Sequence, residues 1–171
     1  MRKILLLVMS FVLVSCTGVP QGVVPVQPFV LSQYLGTWYE ITRLDHRFER
    51  GLSQVSANYS LLADGGVRVL NRGYDADEAQ WQEAEGKAYF VDRPDVGRLK
   101  VSFFGPFYGA YNIARLAPDY SMALVVGPDF SYGWILARSA KPDAVQLASF
   151  QQTASELGIA VEDWIVVSHD Q

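Results

Sequence analysis

Two histidines and one cysteine are the side chains of this 171-residue chain best suited to acid–base, nucleophilic or metal chemistry, and their placement builds no such site. His46 stands in a charge-rich loop and His169 is third from the end, so each reads as a solvated side chain. With no clustered histidine and no second cysteine beside Cys16 there is no zinc pattern, and no Gly-x-Ser-x-Gly elbow presents a nucleophile. Asp75, Asp77 and Glu78 lack the remaining positions of a calcium loop and read as a solvated turn. Glu40 is left with two options if it faces an interior: pairing with an inward basic group or staying protonated. The expectation is a protein with no catalytic residue, no metal and no cofactor.

The residues that do stand out are structural. Tyr34-Leu35-Gly36-Thr37-Trp38-Tyr39-Glu40-Ile41 is answered a hundred residues later by Trp134-Ile135-Leu136-Ala137-Arg138. A glycine two residues before a tryptophan lets the chain turn closely across the base of a sheet, and the indole then enters the interior as an apolar plug. Counting by twos, Trp38, Glu40 and Thr42 share one strand face, and Trp134, Leu136 and Arg138 share another. If the two strands are neighbours, the Arg138 guanidinium lies over the Trp38 ring, a cation–π contact of roughly 0.5–2 kcal/mol. Gly36, Trp38 and Arg138 are thus expected as a base plug, a stability device.

The elements that must position these residues begin after a leader. Arg2 and Lys3 open the chain, and Ile4 to Val14 form an apolar run shorter than the ~20 residues a membrane span needs. Leu13-Val14-Ser15-Cys16 resembles the lipobox of bacterial lipoproteins, in which the thiol receives a diacylglycerol, the signal is cut before the cysteine, and the new amino group is acylated. A lone cysteine in an exported chain has no disulfide partner, and two or more acyl chains anchor stably where one is marginal. Residues 1–15 are therefore expected as a lipoprotein signal peptide. Residues 16–28 are expected as the lipidated cysteine and an extended tether, rich in proline and glycine, with a reach on the order of 20 Å. Residues 29–171 remain as one domain. The leader holds two of the fourteen basic residues and no acidic one, so the mature chain carries twelve against eighteen, or −6. No basic stripe suggests nucleic acid. In a bacterial cell the Asn58-Tyr59-Ser60 sequon is a chance match.

Eight short runs follow, about 38–45, 53–62, 66–75, 80–91, 98–104, 109–116, 121–127 and 131–138. They are separated by turn chemistry such as Asp64-Gly65-Gly66 and Gly127-Pro128-Asp129. Sequential strands with short connections predict an all-β, eight-stranded antiparallel up-and-down barrel, which removes sheet edges by closure. Such a barrel holds one small ligand if its inward side chains are not all large. After Arg138 the period changes. Pro142 suits a first helical turn, and Leu147, Phe150, Ala154 and Leu157 recur at helical spacing until Gly158, predicting one C-terminal helix packed on the wall. Ile159 to Val167 reads as a short ninth strand.

At this point the chain resembles the lipocalins. The Gly-x-Trp-Tyr start, the Gly127-Pro128-Asp129-Phe130-Ser131-Tyr132 turn and the closing Arg138 match the family's three blocks in order and spacing. Asp45-His46-Arg47-Phe48-Glu49-Arg50-Gly51, Glu85-Gly86-Lys87-Ala88-Tyr89-Phe90 and Lys100 to Gly109 are similar to the bacterial outer-membrane lipoprotein lipocalins, with the apolipoprotein D group more distant. The likeness covers about residues 29–168. One departure is Pro28-Phe29-Val30, where many members read Asn-Phe-Asp at the entry turn.

Using the family pattern to set register, Ala57, Tyr59, Val69, Asn71, Ala88, Phe90, Val101, Phe103, Val125, Trp134 and Leu136 point inward. The mixture of slender and large apolar groups suits a long-chain lipid, or else simply fills a small core. The aromatic stretch Phe103 to Tyr111 falls at the open mouth, with His46 to Leu52 and Gly127 to Phe130. There it contacts lipid or a second subunit, as in a homodimer, or packs inward to close the rim. The resemblance implies a bacterial outer-membrane protein, lipid-anchored and facing the periplasm, that stores or carries fatty acids or lysophospholipids for envelope maintenance under stress. The alternatives are an enzyme acting on a bound lipid in the same barrel, and an envelope scaffold whose barrel is filled.

Overall fold

The computed structural model describes residues 17–169, so the expected signal segment and Cys16 lie outside the described residues. Eight strands run in sequence: β1 (Gly36–Arg43), β2 (Leu52–Leu61), β3 (Val67–Asp75), β4 (Gln80–Phe90), β5 (Arg98–Ser102), β6 (Gly109–Leu116), β7 (Met122–Val126) and β8 (Gly133–Ala137). Each pairs antiparallel with the next, β8 pairs with β1, and β1 returns to β2 from Gly36↔Tyr59 to Tyr39↔Ser56. The sheet is therefore a closed up-and-down barrel with no free lateral edge among its paired segments. A single helical turn, α1 (Leu31–Tyr34), crosses the base before β1. Its cap residue Val30 offers no side-chain bond, and the Val30 amide donates instead to the Tyr120 hydroxyl at 2.9 Å.

Two apolar cores share the wall. Inside lie Phe29, Tyr34, Trp38, Tyr59, Val69, Ala88, Val125 and Leu136 among others. Outside, Ile41, Met122, Leu124, Val126, Ile135 and Ala137 are covered by the helix α2 (Ala144–Glu156), chiefly through Phe150 and Ala154. Every residue of β7 is buried because both of its faces are covered. Helix α2 starts later than Pro142: Asp143 is the cap, its carboxylate accepting from the Gln146 amide, so proline stands just ahead of the cap. Arg115 crosses from the wall to α2, stacking on Phe150 at 4.2 Å and donating to Ser149 and Thr153.

Three expectations need correction. The alternation Trp38, Glu40, Thr42 is broken by a bulge between Glu40 and Thr42. Thr42 then pairs with Ile135 on the outer face, and Arg43 comes in line with inward Trp134. Next, residues 17–28 are no extended tether. The Val26 amide donates to the Ile113 carbonyl and its own carbonyl accepts from Gly97, both at 2.9 Å, while Val23 is buried. Backbone groups that a free linker gives to water are here paired with Gly97, just ahead of β5, and Ile113, within β6, so the segment is docked on the wall. Finally, the ninth strand shrinks to β9 (Ile165–Val166), preceded by a 3₁₀ turn at Val161–Asp163. It pairs with Thr42 and Arg43, and the Ser168 carbonyl accepts from Gln54. The C-terminal segment thus fills the split where β1 and β2 part above Tyr39.

Candidate functional site: the barrel interior and its mouth

The closed end is built from backbone carbonyls and one cation. Gly36 turns at φ +95°, and a Cβ there would lie 3.4 Å from Arg138 Nη1. That turn lets Arg138 reach inward, where its Cζ sits 4.0 Å from the Trp38 ring centroid. Its Nη1 donates to the Thr37 carbonyl at 2.8 Å, and its Nη2 to those of Gln33 and Leu35 at 2.7 and 2.9 Å. Trp38 Nε1 takes the Tyr34 carbonyl at 2.8 Å. The carbonyls left open at the end of α1 are thereby satisfied by two side chains from the barrel.

Above this plug three tyrosines converge from α1, β2 and β6. The Tyr111 hydroxyl is 2.7 Å from that of Tyr34 and 2.9 Å from that of Tyr59. Burial pushes all three phenols above their ordinary pKa, so they remain protonated and act as neutral hydrogen-bonding groups. The floor of the interior is therefore a polar triad rather than Trp38 alone. Its members are separated by 25 and 52 residues, and nothing local in the sequence marks their meeting.

The wall residues proposed from sequence fall on the inward rows. Ala57 pairs with Trp38 and Asn71, Tyr59 with Gly36 and Val69, and Ala88 with Val67 and Val101. Val125 pairs with Trp134 and Leu136 with Glu40, while Phe90 meets Leu99. Phe103 lies over Gly86, where a Cβ would come within 2.8 Å of its ring, so only glycine allows that approach. Val69, Ala88, Val125 and Leu136 are buried, whereas Ala57, Asn71, Phe90, Val101, Phe103 and Trp134 keep partial exposure. An inward side chain of a closed barrel keeps exposure where water reaches the lumen; Val101, Phe103 and Trp134 stand where their strands meet the open end, whereas Phe90 lies at the closed end beside Phe29.

At that end the bulge assembles a buried charged cluster. Arg43, only 2% exposed, donates from Nη1 to Glu40 Oε1 at 2.9 Å and from Nη2 to the carbonyls of Glu49 and Leu52 at 2.8 and 3.2 Å. It thus ties down the loop joining β1 to β2. Glu49 Oε2 accepts from Trp134 Nε1 at 3.2 Å and stands 2.9 Å from His46 Nε2, a close contact off the line of a good hydrogen bond. His46 is not solvated: it is 8% exposed and packs its ring on Trp134 at 5.3 Å and Tyr132 at 5.9 Å. His169 also has partners, with Nε2 2.8 Å from the Glu40 carbonyl and its ring edge-on to Tyr39. Burial, then the neighbouring Glu49 charge, holds the Glu40 carboxyl well above the usual carboxylate range against the pull of Arg43. Burial also raises Glu49, but the contacts from His46 and Trp134 outweigh it and leave that carboxyl below its ordinary value. Of the two carboxyls, Glu40 is thus the readier to hold a proton and Glu49 the readier to carry charge beside Arg43. Of the two options left by the sequence, the pairing with a basic group is realised in the Arg43 bond, and burial favours the protonated form of the same carboxyl.

The model of the lipocalin-like domain family matches residues 29–169. The outer membrane lipoprotein Blc of Vibrio cholerae is 49% identical over 168 residues, covering 98% of each chain. Rat apolipoprotein D is 34% identical over 148 residues, covering 80% of this chain and 76% of its own. Among solved structures, insecticyanin from the tobacco hornworm superposes with a TM-score of 0.71 at 20% identity, covering 90% of this chain and 88% of its own.

Proposed function

Because the chain belongs to the lipocalin family, we propose that it is an outer-membrane lipoprotein, anchored through acylated Cys16, which holds single-chain lipids in its barrel. Fatty acids and lysophospholipids are the ligand class, and envelope maintenance under stress is the setting in which such a carrier serves. The relatives named as outer membrane lipoproteins support the address. The observation that carries the binding role is the inner wall, apolar throughout its middle, with slender Ala57, Val69, Ala88 and Val101, Phe90 low in the barrel against Phe29, and Phe103 and Trp134 partly exposed toward the mouth. A ligand tail lying along that wall gains roughly 0.8 kcal/mol per buried methylene, and its polar end remains near the mouth. Binding needs no reaction, and the chemistry placed inside is neutral or paired.

Affinity for a fatty-acid and lysophospholipid series is expected to rise with chain length until the tail reaches the hydroxyls of Tyr34, Tyr59 and Tyr111, then to level or fall. Ala88→Trp is expected to fill the slot and abolish binding, with circular dichroism as the folding control. Absence of saturable binding by delipidated protein would favour the filled scaffold. Chemical conversion of the bound lipid on long incubation would favour the enzyme. Cys16→Ser is expected to block lipid modification and release the protein from the outer membrane, and retention there with normal loss of the signal counts against the anchor.

A further inference from the structure

The docked N-terminal segment fixes where an anchor leaves the barrel. Arg98 Nη2 donates to the Thr17 carbonyl at 3.2 Å and Asn112 Nδ2 to the Gly18 carbonyl at 3.1 Å. Arg98 and Asn112 are themselves cross-strand partners on β5 and β6. Cys16 precedes Thr17 by one peptide link, a Cα spacing of about 3.8 Å, so an acyl anchor there joins the described chain at Thr17, whose carbonyl meets this pair. Gly109, where β6 begins at the mouth, is three residues from Asn112, roughly 10 Å along the strand. The loop between β5 and β6 therefore stands within about a bilayer leaflet of the anchor. At its tip Phe104 is 70% and Phe107 73% exposed. Of the cations on β5 and β6, Arg98 is paired with Asp92 at 2.6 Å and Arg115 with helix α2, while Lys100 rises toward the loop, its Nζ 5.0 Å from the Tyr108 ring centroid.

We propose that this lip of the mouth is a membrane-docking surface: Phe104 and Phe107 enter the bilayer that holds the acyl chains of Cys16, and lipid passes from that bilayer directly into the barrel. The inference rests on the acylation of Cys16 put forward above and adds an orientation to it. The segment from Gly18 to Val26 is hydrogen-bonded to the wall at both ends. The domain consequently has little slack to hang away from its membrane, and the side that carries the anchor must face it. Exposed aromatic rings at the water–lipid boundary bury apolar area there, and Lys100 at the foot of the loop suits an anionic lipid surface. The acidic hairpin of β3 and β4, with Asp75, Asp77 and Glu78 at its turn, belongs to another corner of the mouth.

The test uses the acylated full chain in vesicles of phosphatidylethanolamine and phosphatidylglycerol. Phe107→Cys and, at the closed end between β2 and β3, Ala63→Cys are each labelled with bimane, the Cys16 thiol being blocked by its lipid. Doxyl-labelled lipid is expected to quench the label at 107 several-fold more than that at 63. Equal quenching at the two sites, in protein that floats with the vesicles and shows acylated Cys16 by intact mass, overturns the docking surface alone. A mature chain without acyl mass overturns the anchor reading instead. A label at 107 that is shielded without lipid, in proportion to protein concentration, means that a second copy covers the lip, and this also defeats the proposal. In the Phe104→Ser/Phe107→Ser double variant, uptake of lipid from vesicles is expected to slow about tenfold while uptake of detergent-dispersed lipid stays unchanged. Unaltered uptake from vesicles counts against direct passage.

Discussion

The two ends of the barrel each bind an arginine, fully buried at the mouth and partly buried at the base, and they solve the problem in opposite ways. Arg138 at the base is surrounded by neutral dipoles, the carbonyls of Gln33, Leu35 and Thr37, and by the face of Trp38. Arg43 at the mouth is surrounded by titratable groups, with Glu40 bonded to it and Glu49 and His46 close behind. The base has no proton to gain or lose near neutral pH, and its strength is that of packing and fixed geometry. The mouth holds carboxyls whose titration burial and neighbouring charge have shifted, and the same arginine ties down the loop above them. A closed end built from dipoles and an open end built from acids divide the barrel into a permanent part and a conditional one.

The largest effect should come from the base. Trp38→Ala removes a ring with no exposure and is expected to cost about 3–5 kcal/mol, read from denaturant unfolding. A loss below about 1 kcal/mol would mean that the plug does not bear on the fold. At the mouth, Arg43→Met leaves Glu40 and Glu49 without their buried cation and is expected to cost on the order of 3 kcal/mol. Adding Glu40→Gln should recover part of that loss, and no recovery would show that the two side chains are not energetically joined.

A double-mutant cycle sharpens the base. Arg138→Ala should cost less than Trp38→Ala, and the pair should be less damaging than the sum by roughly 0.5–2 kcal/mol. Strict additivity would mean that ring and guanidinium contribute independently.

The smallest effect separates the ends by pH. Glu40 keeps its proton in the fold to higher pH than in the unfolded chain, so the folded state binds more protons as pH rises above the ordinary carboxylate range. Stability should fall with rising pH until Glu40 itself titrates. Glu49 acts with the opposite sign: its lowered value contributes stability above the ordinary range that is lost as pH falls through the folded value. Glu40→Gln should therefore flatten the decline on the alkaline side, whereas Arg138→Ala should shift the whole stability profile without changing its slope. Equal slopes in wild type and Glu40→Gln would remove the distinction between the two ends.

Much of the base was legible because its parts are short motifs. Gly36, Trp38 and Arg138 stand at the ends of strongly patterned strands; period-2 alternation ran from the two anchored strands, and the lipocalin pattern set the register of the inward rows on the others. Alternation failed first at β1, where one bulge residue moved Arg43 from the expected outer face to the interior and Thr42 from the inner face to the outer. It could not reveal the hydroxyl triad, whose members come from three distant elements. For the N-terminal segment, proline and glycine content describes local stiffness and is silent on whether Gly97 and Ile113 leave backbone groups open to receive a partner.

Strand number, barrel closure, the wall helix and the identity of the plug were determined by the sequence itself, since each follows from periodicity, turn residues and local spacing. Only the tertiary structure decided how the mouth carboxyls shift against each other, which carbonyls Arg138 satisfies, and where Thr17 and Gly18 meet the wall. Those outcomes depend on burial and on the meeting of groups far apart in the chain. Desolvation and hydrogen-bond geometry exist only once the barrel has closed.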